Sequence, residues 1–190
     1  MRDRIISAAI EEMIEHGIKF TMTDLATRLA VSKRTIYEYF PSKDDLIDAI
    51  IFGTLEEIQQ QRLSIIENPN LNFYEKMHLL QKSFPQIMGR VGIVSQWKIL
   101  TEIQRYLPEK WAQIVQSQNE DWEIMKKFLQ QGIQVGYLRP VNLEIVKKIL
   151  IDATWLIVNE KFLTDNNLTI RNAVEQYNDI VFNGLLAGHP

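Results

Sequence analysis

Between Ser32 and Lys43 the chain carries Lys33, Arg34, Thr35, Tyr37 and Tyr39, five hydrogen-bond donors set around two apolar residues, Ile36 and Phe40, that fall four apart. A guanidinium is a planar fork that matches the paired acceptors on the guanine edge, whereas hydroxyl and ammonium groups suit phosphate oxygens. This is the chemistry of duplex recognition, not of bond making. No constellation for bond making accompanies it. The sequence contains no Gly-rich phosphate loop, no Gly-x-Ser-x-Gly elbow, no His-Glu-x-x-His and no histidine beside a plausible nucleophile. Adjacent acids such as Asp44-Asp45, Glu56-Glu57 and Glu120-Asp121 diverge by about 100° on a helix and read as solvated surface. No catalytic residue and no cofactor are therefore expected. The histidines, His16, His78 and His189, are too scattered for a metal site, and the absence of cysteine excludes disulfides and thiolate ligands.

The donors need a short helix to present them, and the flanking residues supply its signals. Thr21 and Asp24 form a capping box for one helix, whose apolar face is Met22, Leu25, Ala26 and Leu29. Ala30-Val31 breaks that pattern, Ser32 caps a second helix, and Pro41 stops it. Two short helices joined by a tight turn form a helix-turn-helix, whose second helix reads base edges in the major groove. Upstream, Arg2 to His16 has helical periodicity and ends at Gly17, with Ile18 folding back on Met13; Glu11, Glu12 and Glu15 read as a solvated face. Downstream, Ser42 and Asp45 cap a fourth helix reaching about Ile66. Lys43 stands in its first turn, where the helix dipole already favours an anion, so it reads as a phosphate contact; an ordinary surface lysine is the alternative.

These residues carry a family resemblance. Residues 5–51 resemble the N-terminal domain of the TetR family of bacterial transcriptional repressors. The matching positions are Phe20-Thr21, Asp24-Leu25-Ala26, Val31-Ser32, Thr35-Ile36-Tyr37, Phe40 and Lys43-Asp44-Asp45-Leu46. Ala30 and Arg34 depart from it, because the family usually has glycine at the first position and often at the second. A non-glycine residue forced into left-handed geometry costs roughly 1–2 kcal/mol. Arg34 adds a guanidinium at the start of the reading helix.

The net charge of −3 argues against a non-specific nucleic-acid coat, yet Lys19 to Lys43 holds Lys19, Arg28, Lys33, Arg34 and Lys43 against only Asp24 and Glu38. A positive head on an acidic body suits a site-specific binder. At 190 residues and 46% apolar, the chain can bury a real core. No run of 18 apolar residues or signal peptide is apparent, so a soluble, cytoplasmic protein without membrane association is expected.

Beyond Asn68-Pro69-Asn70, helical patterns run over Phe73–Phe84, where Pro85 should kink or end the helix, then Ile93–Tyr106 and a long helix starting at Pro108 and ending near Val135. Gly89 and Gly92 read as a loose connection. The turn Gly136-Tyr137-Leu138-Arg139-Pro140 is also similar to TetR-family regulatory domains. The last two helices, about Leu143–Leu163 and Thr169–Leu186, are apolar over more than one stripe. Periodicity alone is compatible with a thick monomeric core; the resemblance implies a four-helix homodimer interface built from these two helices. Phe84, Trp97, Trp122 and Trp155 are candidates to line an effector pocket, although tryptophans also simply fill cores.

The expectation is an all-α protein. Residues 1–48 would form a three-helix helix-turn-helix domain and residues 49–190 a helical effector-binding and dimerisation domain. It would act as a dimeric repressor on a palindromic double-stranded operator, released by a small, largely apolar effector of unknown identity. Lys33, Arg34 and Thr35 would contact bases; Thr21, Thr23, Ser32, Tyr37, Tyr39 and Lys43 would fix the register through phosphates. Two alternatives stand beside it: a helix-turn-helix protein controlled by a protein partner without an effector, and a helical ligand-binding protein that does not bind DNA.

Overall fold

The computed structural model describes the backbone of residues 1–90, 93–153, 157 and 160–187, and side chains within that set except at 83–98, 160 and 170. The protein is all-α. The chain divides into two compact units, Met1–Ile58 with Ser95–Val115, and Gln59–Val94 with Gln116–Pro190. The first is larger than the span 1–48, because it takes in a stretch holding Tyr106 and Trp111 that the sequence reading placed with the second domain.

The first unit begins with α1 (Arg2–His16), which buries Ile5, Ala8, Ala9 and Met13. Gly17 ends it with φ 69° and ψ −167°, its N–H donated to the Met13 carbonyl. The expected fold-back of Ile18 gives way to a single 3-10 turn, Gly17–Lys19. The capping box of α2 (Met22–Leu29) is present: the Thr21 hydroxyl accepts the Asp24 N–H at 3.2 Å, and Asp24 accepts the Thr21 N–H at 2.8 Å. Ala30 adopts the left-handed conformation, φ 53° and ψ 44°, that glycine would take without strain. Next comes α3 (Lys33–Tyr37), only five residues long and too short to be stable alone. Ile36 and Phe40, 0% and 3% exposed, hold it down. Ser42 and Asp45 cap α4 (Lys43–Ile66), whose Leu46, Ile47, Ile50 and Ile51 complete the floor. Ile99, Ile103 and Ile114 enter the same core. Each such isoleucine or leucine contributes ~1.5–3 kcal/mol on burial.

A second expectation fails in this unit. Glu11, Glu12 and Glu15 do not form a plain solvated face: Glu12 is 4% exposed, and Arg28 of α2 binds all three carboxylates, at 3.1, 2.5 and 2.5 Å. The three acids fall within a five-residue span of α1 and converge on one guanidinium.

In the second unit, α5 (Phe73–Arg90) runs through Pro85 instead of ending there, and Gly89 lies within it; Gly92 lies outside the described residues. Downstream, α6 (Ile93–Tyr106) and α7 (Pro108–Val135) match the expected spans; Ser95–Val115 of these helices belongs to the first unit and the rest of α7 to the second. Met77, Leu80, Trp122, Met125, Phe128, Leu129, Leu138, Leu143, Val146 and Leu185 form this unit's core. Gly132 is required by the Phe73 ring, which occupies the space its Cβ would need. Beyond Gly136, at φ 84°, the turn is strapped to the chain's end: the Arg139 N–H donates to Leu185 and the Ala187 N–H to Tyr137, both at 3.0 Å.

The helix expected over Leu143–Leu163 is not regular α-helix throughout, and 154–156, 158 and 159 lie outside the described residues. Asn142 caps α8 (Leu143–Lys148), a π-helical turn follows at Ile149–Ala153, and α9 spans Glu160–Asp165. The Tyr177 hydroxyl, from α10 (Ile170–Leu185), donates to the Ile149 carbonyl at 2.6 Å, and a side chain inserted at a backbone acceptor is a recognised cause of a helix irregularity. Val174 and Tyr177 are buried, whereas Ile145, Ile149 and Ile180 are 60%, 44% and 72% exposed.

Candidate nucleic-acid interface

The reading helix is built by its ends. The Ser32 hydroxyl accepts the Thr35 N–H at 3.1 Å and shares a 2.9 Å hydrogen bond with the Thr35 hydroxyl, closing the first turn of α3. Ile36 points into the core, which leaves Lys33, Arg34, Tyr37 and Tyr39 on the outside. The Arg34 side chain is 90% exposed and lies 3.5 Å from Glu38, four residues on along the same face. Tyr37 and Tyr39 are 45% and 44% exposed, unusual for rings that could have been buried nearby. Thr21 and Thr23 lie exposed at the start of α2, where Thr21 is committed to its cap and the Thr23 carbonyl accepts the Thr27 hydroxyl at 3.0 Å.

The five cations of Lys19–Lys43 are not equivalent. Arg28 is consumed by three glutamates, and its hydrogen bonds to Glu12 and Glu15 hold the guanidinium above its ordinary pKa, against the effect of desolvation. The same contact keeps Glu15 below the usual carboxylate range. Lys19 lies over the Tyr106 ring, 5.0 Å from its centre. Lys43 faces inward: its ammonium donates to the Ile18 carbonyl at 2.6 Å and to the Phe20 carbonyl. Burial pulls Lys43 below the ordinary lysine value, opposed by the charge of Asp24. Two of its three N–H donors are therefore spent on the protein. The uncommitted positive charge is concentrated on Lys33 and Arg34, at the N-terminal end of the reading helix.

Two further contacts brace this head. Lys110 of α7 bridges Asp44 at 2.9 Å and Asp48 at 2.5 Å; burial alone would depress its ammonium, but the two carboxylates outweigh that and raise it. The Glu102 carboxylate of α6 accepts the Ile18 N–H at 2.7 Å. Sequence reasoning missed Arg28, Glu102 and Lys110. Only Arg28 had a signal, in the three acids of one helix face that lacked a counter-charge; the others are contacts across 84 and more than 60 positions.

Of the pocket candidates, only Trp122 has a described side chain. It is 6% exposed within the second core, its indole N–H has no partner among the described residues, and the Lys147 ammonium lies 6.0 Å from its ring centre. Phe84, Trp97 and Trp155 lie outside the described side chains. On Asp121, beside Trp122, the carboxylate pairs with Arg62, whose burial pulls the guanidinium down to about 10 while leaving it charged at neutral pH. A separate groove between α5 and α10 is lined by His78, Gln81, Lys82, Arg171, Glu175, Asp179 and Ile180, a mixed polar and apolar surface. Among the described residues there is no cluster fit for a metal ion, and no helix is long and apolar enough to cross a membrane.

Comparison with known proteins agrees with this geometry. The family model for bacterial regulatory proteins of the tetR family matches residues 5–50, the stretch from α1 into α4. An uncharacterized HTH-type transcriptional regulator of Bacillus subtilis (strain 168), YvaF, is 29% identical over 98% of this chain and 96% of its own. The HTH-type transcriptional repressor KstR2 of Mycobacterium tuberculosis is 24% identical over 97% and 92%. The solved structure of KstR2 superposes with a TM-score of 0.75 at 22% identity, covering 98% of this chain and 95% of that one. A TetR/AcrR-family regulator from Thermobifida fusca gives 0.70 at 26% identity, covering 96% and 97%. These relatives are transcriptional regulators, a non-enzymatic class. With a reading helix that presents cations to solvent, this chain carries over residues 5–50 an N-terminal domain that matches the tetR-family model, and along nearly its whole length it is similar to bacterial transcriptional regulators.

Proposed function

We propose that the protein is a dimeric transcriptional repressor that binds a palindromic DNA operator and is released by a small, mainly apolar effector held in the part of the chain after residue 48. The observation that carries this reading is the pairing pattern of the head: Arg28 and Lys43 are engaged internally, while Lys33 and Arg34 stand exposed on α3. Lys33, Arg34 and Thr35 would face base edges. Thr21, Thr23, Ser32, Tyr37 and Tyr39 would fix the register on phosphates, joined by Lys43 through its third N–H. The dimer would form through α8–α10, supported by the exposed Ile145, Ile149 and Ile180. It would set the reading helices about 34 Å apart or a multiple of that. Trp122, together with Phe84, Trp97 and Trp155, would line the effector site; the unpartnered indole N–H of Trp122 supports a ligand acceptor there. The KstR2 structure is described as that of a ketosteroid transcriptional regulator, which makes fused-ring apolar compounds the first effector class to try.

The test is selection of bound duplexes from a random-sequence library by the purified full-length chain, at several salt concentrations. Enrichment of a palindrome, held at near-physiological salt and lost on adding an apolar compound, supports all three parts of the reading. Equal, steeply salt-dependent retention of every duplex counts against specific recognition. Retention of none at low salt removes DNA binding altogether.

A further inference from the structure

The four residues that join α1 to α2, Gly17 to Phe20, are gripped by charged side chains from two other helices. Ile18 is 8% exposed, and its N–H follows the left-handed break at Gly17 that takes the chain off the end of α1. The Glu102 carboxylate supplies it, at 2.7 Å. The carbonyls of Ile18 and Phe20 are taken by the Lys43 ammonium. Gly17 leaves room for this: a Cβ there would run into the Glu102 carboxylate, and its φ of 69° disfavours any side chain. Tyr106, four residues beyond Glu102 and so on the same face of α6, lies under Lys19 of the same turn. The very next residue, Thr21, is the cap of α2, the helix that supports α3.

We infer that Glu102 is a positioning residue for DNA recognition: it sets the angle at which α2, and with it the reading helix α3, leaves the Gly17–Phe20 turn, without itself touching DNA. Water could satisfy the Ile18 N–H if Glu102 were absent, so the chain would still fold. Water cannot fix the direction of that N–H against α6. A charge-assisted hydrogen bond from a helix anchored by Ile99 and Ile103 can. The inference rests on the DNA-binding reading above only for its consequence; the positioning itself is measurable in the free protein.

The experiment compares the full-length chain with Glu102→Ala and Glu102→Gln. Its readouts are affinity for the selected duplex, affinity for the same duplex with the half-sites one base pair further apart, Tm, and amide exchange over residues 18–29. Glu102→Ala should bind the selected duplex about tenfold or more weakly, the scale of one lost charge-assisted hydrogen bond. It should also discriminate less against the altered spacing and exchange faster over residues 18–29, with Tm nearly unchanged. Glu102→Gln keeps a carbonyl acceptor without the charge and should restore a large part of all three. Wild-type affinity and exchange in Glu102→Ala would overturn the inference. So would affinity that falls in step with Tm in both variants, which marks a merely structural contact. If the wild-type chain binds no duplex, the DNA-binding reading fails, and exchange decides positioning: unchanged rates in Glu102→Ala overturn it, and faster rates restored in Glu102→Gln support it.

Discussion

Arg34 and Ala30 lie four positions apart, and only Ala30 holds a backbone conformation that favours glycine. Arg34 makes a weak, exposed contact to Glu38, so its charge is available to a partner. Replacing Arg34 with alanine should relax base preference at one operator position and weaken binding by roughly 1–3 kcal/mol. Affinities measured across a set of single-base operator variants check this; equal loss on every variant would reassign Arg34 to a phosphate. Ala30 holds φ 53° with a methyl group in the way. Ala30→Gly removes roughly 1–2 kcal/mol of strain but adds freedom to the unfolded chain that offsets up to about 1 kcal/mol. The expected net is a gain of about 0.5–1 kcal/mol, seen as a Tm rise of a few degrees by calorimetry.

At the scale of elements, α2 and α3 depend on their caps more than on their length. Asp24 accepts from Thr21, first through its hydroxyl and then through its backbone N–H, which holds its pKa below the ordinary 3.8. A depressed carboxylate contributes stability that is fully present above the unfolded value and is lost as pH falls through the lower folded value. Thermal stability of the wild type should therefore fall below pH 3.8, and Asp24→Asn, which cannot titrate, should flatten that acid limb. A melting series from about pH 5 to pH 2 gives the comparison. An unchanged limb would assign the acid loss to other carboxylates, Glu15 first, since Arg28 depresses it as well.

Taken as a whole molecule, the last helices bury one side in their own unit and leave Ile145, Ile149 and Ile180 in solvent. Isolated apolar residues on a surface are ordinary, but these three lie on the helices proposed above to pair, so they are the first place to test for a partner. Ile180→Asp should shift the sedimentation of the chain from dimer toward monomer, and reduce operator affinity more than affinity for a single half-site. Unchanged sedimentation would place the dimer surface elsewhere, or leave the chain monomeric.

Local chemistry determined what could be read in advance. Capping boxes at Thr21–Asp24 and Ser42–Asp45 and the breaks at Gly17, Ala30 and Pro41 are written in residues a few positions apart. The helical spans and the exposed donors of α3 therefore follow from sequence periodicity. The tertiary structure decided which charges remain free. Arg28 was engaged by Glu11, Glu12 and Glu15, and Lys43 turned from solvent to the Ile18 and Phe20 carbonyls, because α1, α2 and α4 meet only after folding. The π turn at Ile149–Ala153 was equally hidden, since its carbonyl partner, the Tyr177 hydroxyl, lies 28 positions away. A helix pattern reports which face is apolar; which polar groups meet across the core depends on how separate helices pack, and no local spacing encodes it.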